Sequence, residues 1–216
     1  YVFRPKLTCH VQLPCAIEKS LQKLLQRELL DCCPMRSVSW VHGDTGAGKS
    51  RRVPLAALMA MRANDRKGVL HILPRKIAAY SILGFYQEHE YEVVQDMASI
   101  WNGDVHVPPT QREFVVLSTP VSAFHCLRYA SSWQDLSLIV FDEIQVKDGL
   151  MLLLIVYVLA RITRKHHCAK GVRVLLMTAT PRGAAYSTLE NVLARMGIMP
   201  GTVYVNPIND LSLIHI

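Results

Sequence analysis

The sequence predicts an α/β domain built on a parallel sheet, with helices on both faces. Three observations carry that prediction. Short apolar runs rich in Val, Ile and Leu alternate with segments of helical spacing. Most of the runs are continuous rather than alternating, as in strands covered on both faces. Half of the 216 residues are apolar and 19% are charged, a balance that builds a core and excludes a disordered chain. The length suits one domain, and no internal repeat is visible.

The elements follow in order. Residues 1–36 read as a lead-in whose helical part is Ala16–Leu30. Ser37–His42 is rich in β-branched and aromatic residues and reads as the first strand. Lys49–Arg62 has helical spacing after a glycine-rich turn, although Pro54 would kink an ordinary helix. Val69–Leu73 is an apolar run ending at Pro74, and Arg75–Glu88 is helical again. Asp96–Arg112, with Gly103, Pro108 and Pro109, reads as a surface loop. Phe114–Leu117 and Leu136–Phe141 are apolar strands on either side of a helical Val121–Tyr129. Gly149–His166 reads as a helix, Val172–Met177 as a strand, Leu189–Met196 as a helix and Thr202–Val205 as a final strand. Such strand–helix alternation requires right-handed crossovers.

Composition narrows the function. Lys and Arg number 24 against 17 Asp and Glu, a formal net charge of +7 before the nine histidines. That excess suits a polyanionic partner. Six cysteines, at 9, 15, 32, 33, 126 and 168, form no C-x-x-C pair, and nothing resembles a signal peptide. Reduced thiols and an intracellular location are the expectation. Cys9, His10 and Cys15, or His166, His167 and Cys168, lack the paired spacing of a zinc site. The most apolar run, Leu150–Ala160, is too short for the roughly twenty residues of a membrane span and reads as a buried helix.

In a sheet of this kind ligands bind at the carboxyl ends of the strands, and four ends carry unusual residues. After the first strand comes Gly43-Asp44-Thr45-Gly46-Ala47-Gly48-Lys49-Ser50, then a helix beginning with Arg51. This is G-x-x-x-x-G-K-S in its required strand–helix context. Glycines let backbone amides wrap a phosphate chain, and the helix N-terminus adds partial positive charge. Lys49 can reach terminal phosphates, and the Ser50 hydroxyl can join the shell of a Mg²⁺ ion. The strand ending at Phe141 delivers Asp142 and Glu143 to the same edge. Asp142 fits a carboxylate that holds Mg²⁺ through water, and Glu143 fits a base or orienter for attacking water. The two motifs together indicate a Mg-dependent nucleoside triphosphatase.

These residues resemble the superfamily 2 helicases. Asp142-Glu143-Ile144-Gln145 is similar to their D-E-x-H box, and Thr178-Ala179-Thr180 to their S/T-A-T motif. Pro74-Arg75-Lys76-Ile77-Ala78-Ala79 is similar to the P-R-R-V-A-A of DEAH-box RNA helicases, and Gly43 to Pro54 to their G-E-T-G-x-G-K-T-x-x-x-P. Met177 to Gly183 resembles the M-T-A-T-P-P-G of helicases from positive-strand RNA viruses, of the potyvirus or flavivirus type. Asp142 to Asp148 resembles the D-E-C-H-V-x-D of plant potyviruses. The resemblance covers roughly residues 13 to 205. It implies a RecA-like ATP-binding domain at 37–205, using ATP or another NTP with Mg²⁺ and acting on RNA.

The resemblance also assigns roles. Pro74, Arg75 and Lys76, with Ser118 and Thr119 after another strand, would touch the RNA backbone, where cations and helix-start amides position phosphates. Thr178, Ala179 and Thr180 would couple the nucleotide site to strand separation. Gln145 departs from the usual His of the catalytic box; its amide still donates and accepts. Pro120 departs from a frequent Gly and removes an amide donor. Trp101, Trp133 and Phe124 read as packing residues rather than base-stacking platforms. Nothing after Thr180 resembles the Q-x-x-G-R-x-x-R of a second RecA-like domain, so the chain is expected to be the ATP-binding half of a longer protein, with that domain as its missing partner. Both ends look cut: the chain opens on Tyr1, 206–216 reads as a truncated tail, and Leu211 to Ile216 match the translation of a common sequencing adapter. A non-helicase ATPase motor and a degenerate nucleotide-binding interaction module remain as alternatives.

Overall fold

A computed structural model describes residues 37–60, 68–88, 98–103, 114–146, 148–164, 169–181 and 183–205. Seven strands, β1 (Val38–His42), β2 (Gly68–Ile72), β3 (Ala98–Trp101), β4 (Phe114–Ser118), β5 (Leu136–Phe141), β6 (Arg173–Thr178) and β7 (Gly201–Tyr204), form one sheet in the order β3-β4-β2-β5-β6-β1-β7. Every pairing is parallel. Among the described residues five α-helices connect them: α1 (Lys49–Ala60), α2 (Lys76–Glu88), α3 (Pro120–Leu127), α4 (Gly149–Thr163) and α5 (Ala184–Arg195).

Both faces are covered, and the two-residue period of a strand splits its side chains between two cores. Val41, Val69, Val140 and Met177 face α1 and α2, packing on Val53, Leu58, Ala79 and Tyr86. Trp40, Leu70, Phe141 and Leu176 face the other way, against α3, α4 and α5. This is why β2 and β5 are buried along their whole length and read as apolar runs, broken only by His71 and Ser137. Helix α4 shows how the sequence sets an element. Asp148 caps it, its carboxylate accepting from the amides of Leu150 (2.9 Å) and Met151 (3.4 Å). Met151, Leu154, Ile155, Val158 and Leu159 then form one buried stripe, each fully buried side chain contributing about 1.5–3 kcal/mol.

The structure corrects two expectations. Residues 98–101 of the expected surface loop are strand β3, at the sheet edge beside β4. A four-residue edge strand next to Gly103 carries too little pattern to outweigh the downstream prolines. Helix α5 begins at Ala184 rather than Leu189, because its first turn is mostly small or exposed residues without an apolar stripe. The expected helix Ala16–Leu30, the Cys9 and His166 clusters, and the tail from 206 lie outside the described residues.

Candidate functional site

Parallel strands put all their carboxyl ends on one edge, and the sheet order sorts the candidate residues along it. The neighbours β5, β6 and β1 end in Phe141, Thr178 and His42, so the acidic pair, the Thr-Ala-Thr segment and the glycine-rich loop emerge side by side. Between them lies a cleft of about 350 Å³, lined by Thr45, Gly46, Gly48, Lys49, Ser50, Arg51, Asp142, Glu143, Gln145, Thr178 and Ala179.

The loop is shaped by its glycines. Gly48 sits at φ +80°, a region an L side chain enters only with strain. A Cβ on Gly43 would collide with the carbonyl of Val205, where the chain continues β7 along β1. Ala47 packs into the core beneath the loop, while Asp44, Thr45 and Gly46 are exposed. The Lys49 ammonium folds over the loop, donating to the Gly43 carbonyl and to the Asp44 carbonyl at 2.7 Å. Burial lowers the Lys49 pKa, against the opposing charges of Asp142, Asp44 and Glu143. Arg51 lays its guanidinium 4.5 Å over the Phe85 ring, and its carbonyl accepts from the Tyr86 hydroxyl at 2.9 Å.

Asp142 is almost wholly buried, at 1% exposure. Burial alone would raise its pKa, but His71, by hydrogen bond and by charge, then Ser50 and the Glu143 amide, outweigh it and hold the carboxyl below its usual range. The contacts are His71 Nε2 to Oδ2 at 3.3 Å and the Glu143 amide donating to Oδ1 at 2.8 Å. Glu143 itself adopts φ +49°, the left-handed region a non-glycine residue seldom enters, and its side chain is exposed at the cleft. Gln145 then turns back toward β6. Its Oε1 accepts from the Thr178 hydroxyl at 3.1 Å and from the Ala179 amide at 3.4 Å, while the Thr180 amide donates to Thr178 Oγ1. The Ile144 amide adds a backbone bond to the Met177 carbonyl. The acidic loop and the Thr-Ala-Thr segment are thus one hydrogen-bonded unit.

The remaining candidates lie on the other half of the edge, after β2 and β4. Arg75 and Lys76 are exposed at the start of α2. Ser118 is fully buried and donates to the Trp101 carbonyl at 2.8 Å, tying β4 to β3. Thr119 is nearly buried and donates to Ser122 Oγ. Pro120 occupies the first turn of α3, where an amide would have no partner within the helix. Trp133 is fully buried, Phe124 packs against Tyr157, and Trp101 is partly buried against the core, so all three serve packing.

Sequence reasoning missed His71; its only signal was an imidazole inside an apolar strand. Also missed was a ring cluster of Trp40, His42, Tyr186 and Tyr204 beneath the glycine-rich loop. A Mg²⁺ ion fits the cleft by donor chemistry: one buried ionised carboxylate and one hydroxyl are hard oxygen donors, and phosphate and water complete such a shell. Among the described residues no cluster of three or more His, Cys, Asp or Glu could hold a metal, and no helix is long and apolar enough to cross a membrane.

Comparison with known proteins agrees with this geometry. No curated protein sequence matches the chain. The crystal structure of the Pyrococcus furiosus Hef helicase domain is similar at a TM-score of 0.55 and 21% identity, over 86% of this chain and 38% of that one. At that identity the likeness is one of fold, and the chain spans well under half of that structure's length. The profile of the DEAD/DEAH box helicases matches residues 19–189, taking in the glycine-rich loop, the acidic pair and the Thr-Ala-Thr segment. With most of its length inside that match, the chain belongs to the DEAD/DEAH box helicase family.

Proposed function

We propose that this chain is the ATP-binding, first RecA-like domain of a superfamily 2 RNA helicase, DEAH-like or of the positive-strand RNA virus type, hydrolysing NTP with Mg²⁺ to move along or separate RNA. One observation carries the reading: residues from three separate strand ends, Lys49 and Ser50, Asp142, Glu143 and Gln145, and Thr178, line a single cleft. In the proposed mechanism the loop amides wrap the phosphates, and Lys49 exchanges the Gly43 and Asp44 carbonyls for the terminal phosphate. Ser50 and Asp142 would hold Mg²⁺, which when bound neutralises phosphate charge. Glu143 orients and deprotonates the attacking water. Gln145 couples that chemistry to Thr178 and Ala179 through the bonds it accepts. Arg75 and Lys76 hold the RNA backbone without reading bases.

The test is calorimetric titration of the chain with Mg²⁺ and a non-hydrolysable ATP analogue. Lys49→Ala is expected to abolish binding and leave the circular dichroism spectrum unchanged, since it removes a charge and no core contact. Unchanged affinity in a folded Lys49→Ala variant would defeat the assignment.

A further inference from the structure

We infer that His71 is a positioning residue for Asp142, fixing the orientation of the carboxylate that the proposed function gives to Mg²⁺. The inference rests on that reading of Asp142. Strand register brings the two together. His71 pairs with Val140 across β2 and β5, and Asp142 lies two residues on, on the same face. The Asp142 amide donates to the Ile72 carbonyl at 2.9 Å, which holds the backbone beside β2.

His71 is completely buried, and its Nε2 lies 3.3 Å from Asp142 Oδ2. An ionised carboxylate only accepts, so Nε2 carries the hydrogen. Nδ1 has no hydrogen-bond partner. A buried imidazole with one nitrogen unpartnered is costly where an aliphatic side chain would fill the strand position as well. The bond to Asp142 is what the histidine supplies in return.

The physical role follows from the torsion it restrains. The terminal torsion of an aspartate is broad and two-fold, so packing alone orients its oxygens poorly. Here each oxygen has its own anchor: Oδ1 takes the Glu143 amide at 2.8 Å, and Oδ2 takes His71. Ser50, the second proposed ion holder, helps hold the same carboxyl below its usual range. Removing His71 frees one end of that arrangement while leaving every proposed Mg²⁺ holder in place.

The experiment measures binding of a fluorescent, non-hydrolysable ATP analogue by the 216-residue chain as Mg²⁺ is titrated at fixed pH. Glutamine sets its amide nitrogen near the position of Nε2, whereas asparagine sets it near Nδ1, so His71→Gln keeps the donor and His71→Asn misplaces it. His71→Asn and His71→Leu are expected to raise the Mg²⁺ midpoint about tenfold, the scale on which groups supporting a metal's ligands act. His71→Gln stays near the unsubstituted chain, and affinity in chelator is the same for all. In an Asp142→Asn background, His71→Asn adds no further shift. A His71→Asn midpoint equal to that of the unsubstituted chain overturns the inference, as does a His71→Gln shift as large as that of Asn. The Gln and Asn variants bury the same amide, so their comparison decides even if the Leu variant does not fold. An unsubstituted chain that binds nucleotide without regard to Mg²⁺ instead defeats the proposed function.

Discussion

The ring of His42 ends β1 beneath the glycine-rich loop, 5.9 Å from Trp40, 5.6 Å from Tyr186 and 5.2 Å from Tyr204 between centroids. Its Nδ1 is buried without a partner. Burial lowers its pKa and the charge of Lys49 adds to that, against Glu190, which raises it. The linkage has a definite sign. Between the lowered folded value and the ordinary 6.5, the unfolded chain binds a proton that the folded chain does not. Stability therefore rises with pH through that window, and acidification below 6.5 costs stability. The Tyr186 hydroxyl, pushed up to about 12 by burial and by Glu190, does not titrate there. Melting temperatures taken above and below pH 6.5 check this. The unsubstituted chain is expected to lose more on acidification than His42→Phe, which keeps a ring in the cluster and removes the proton. An equal loss in both assigns the acid sensitivity elsewhere.

At the scale of elements, strands covered on both faces were plain in the sequence, because burial on both sides leaves few polar residues to interrupt the run. For the same reason the glycine-rich loop, Asp142–Glu143 and Thr178–Thr180 were found at strand ends: polar residues that stop an apolar strand announce themselves. β3 was not legible, being four residues at an edge, and His71 hid inside β2 because its meaning lies in a strand register that sequence does not display. The Gln145 contacts were hidden likewise, since they join the turn after β5 to the end of β6. The structure also sharpens the proposed RNA track. With the Ser118 hydroxyl committed to Trp101, the exposed cations at the start of α2 are left as its main side-chain contribution. RNA binding by this chain is expected to be weak, insensitive to sequence and steeply salt-dependent. Arg75→Ala should weaken it and reduce the salt slope by about one contact. Fluorescence anisotropy over a salt series checks both, and affinity that follows base composition while ignoring salt would contradict the assignment.

For the whole molecule, the proposed function makes a demand that the cleft cannot meet alone. Phosphoryl transfer needs cationic stabilisation of the charge that develops on the transferred group, and an arginine finger is worth about 10³–10⁵ in rate. Among the described residues lining the cleft the one arginine is Arg51, and its guanidinium is stacked on Phe85. In the proposed reading Lys49 and the loop amides would bind phosphate already in the ground state, and binding equal in ground and transition states does not raise turnover. In the proposed reading the missing cations come from a second RecA-like domain closing over the same edge. This chain should therefore bind ATP yet hydrolyse it very slowly, with or without RNA. The residual rate should fall further in Glu143→Gln, which keeps the shape of the side chain and removes the base. Supplying a second RecA-like domain, covalently or in trans, should restore RNA-stimulated hydrolysis, and changing that domain's arginines should abolish it again. Single-turnover hydrolysis on the monomeric chain, its mass checked by light scattering, makes the decisive measurement. Fast RNA-stimulated turnover by that monomer would mean that the cleft carries its own charge stabilisation, and that the domain is a self-sufficient ATPase.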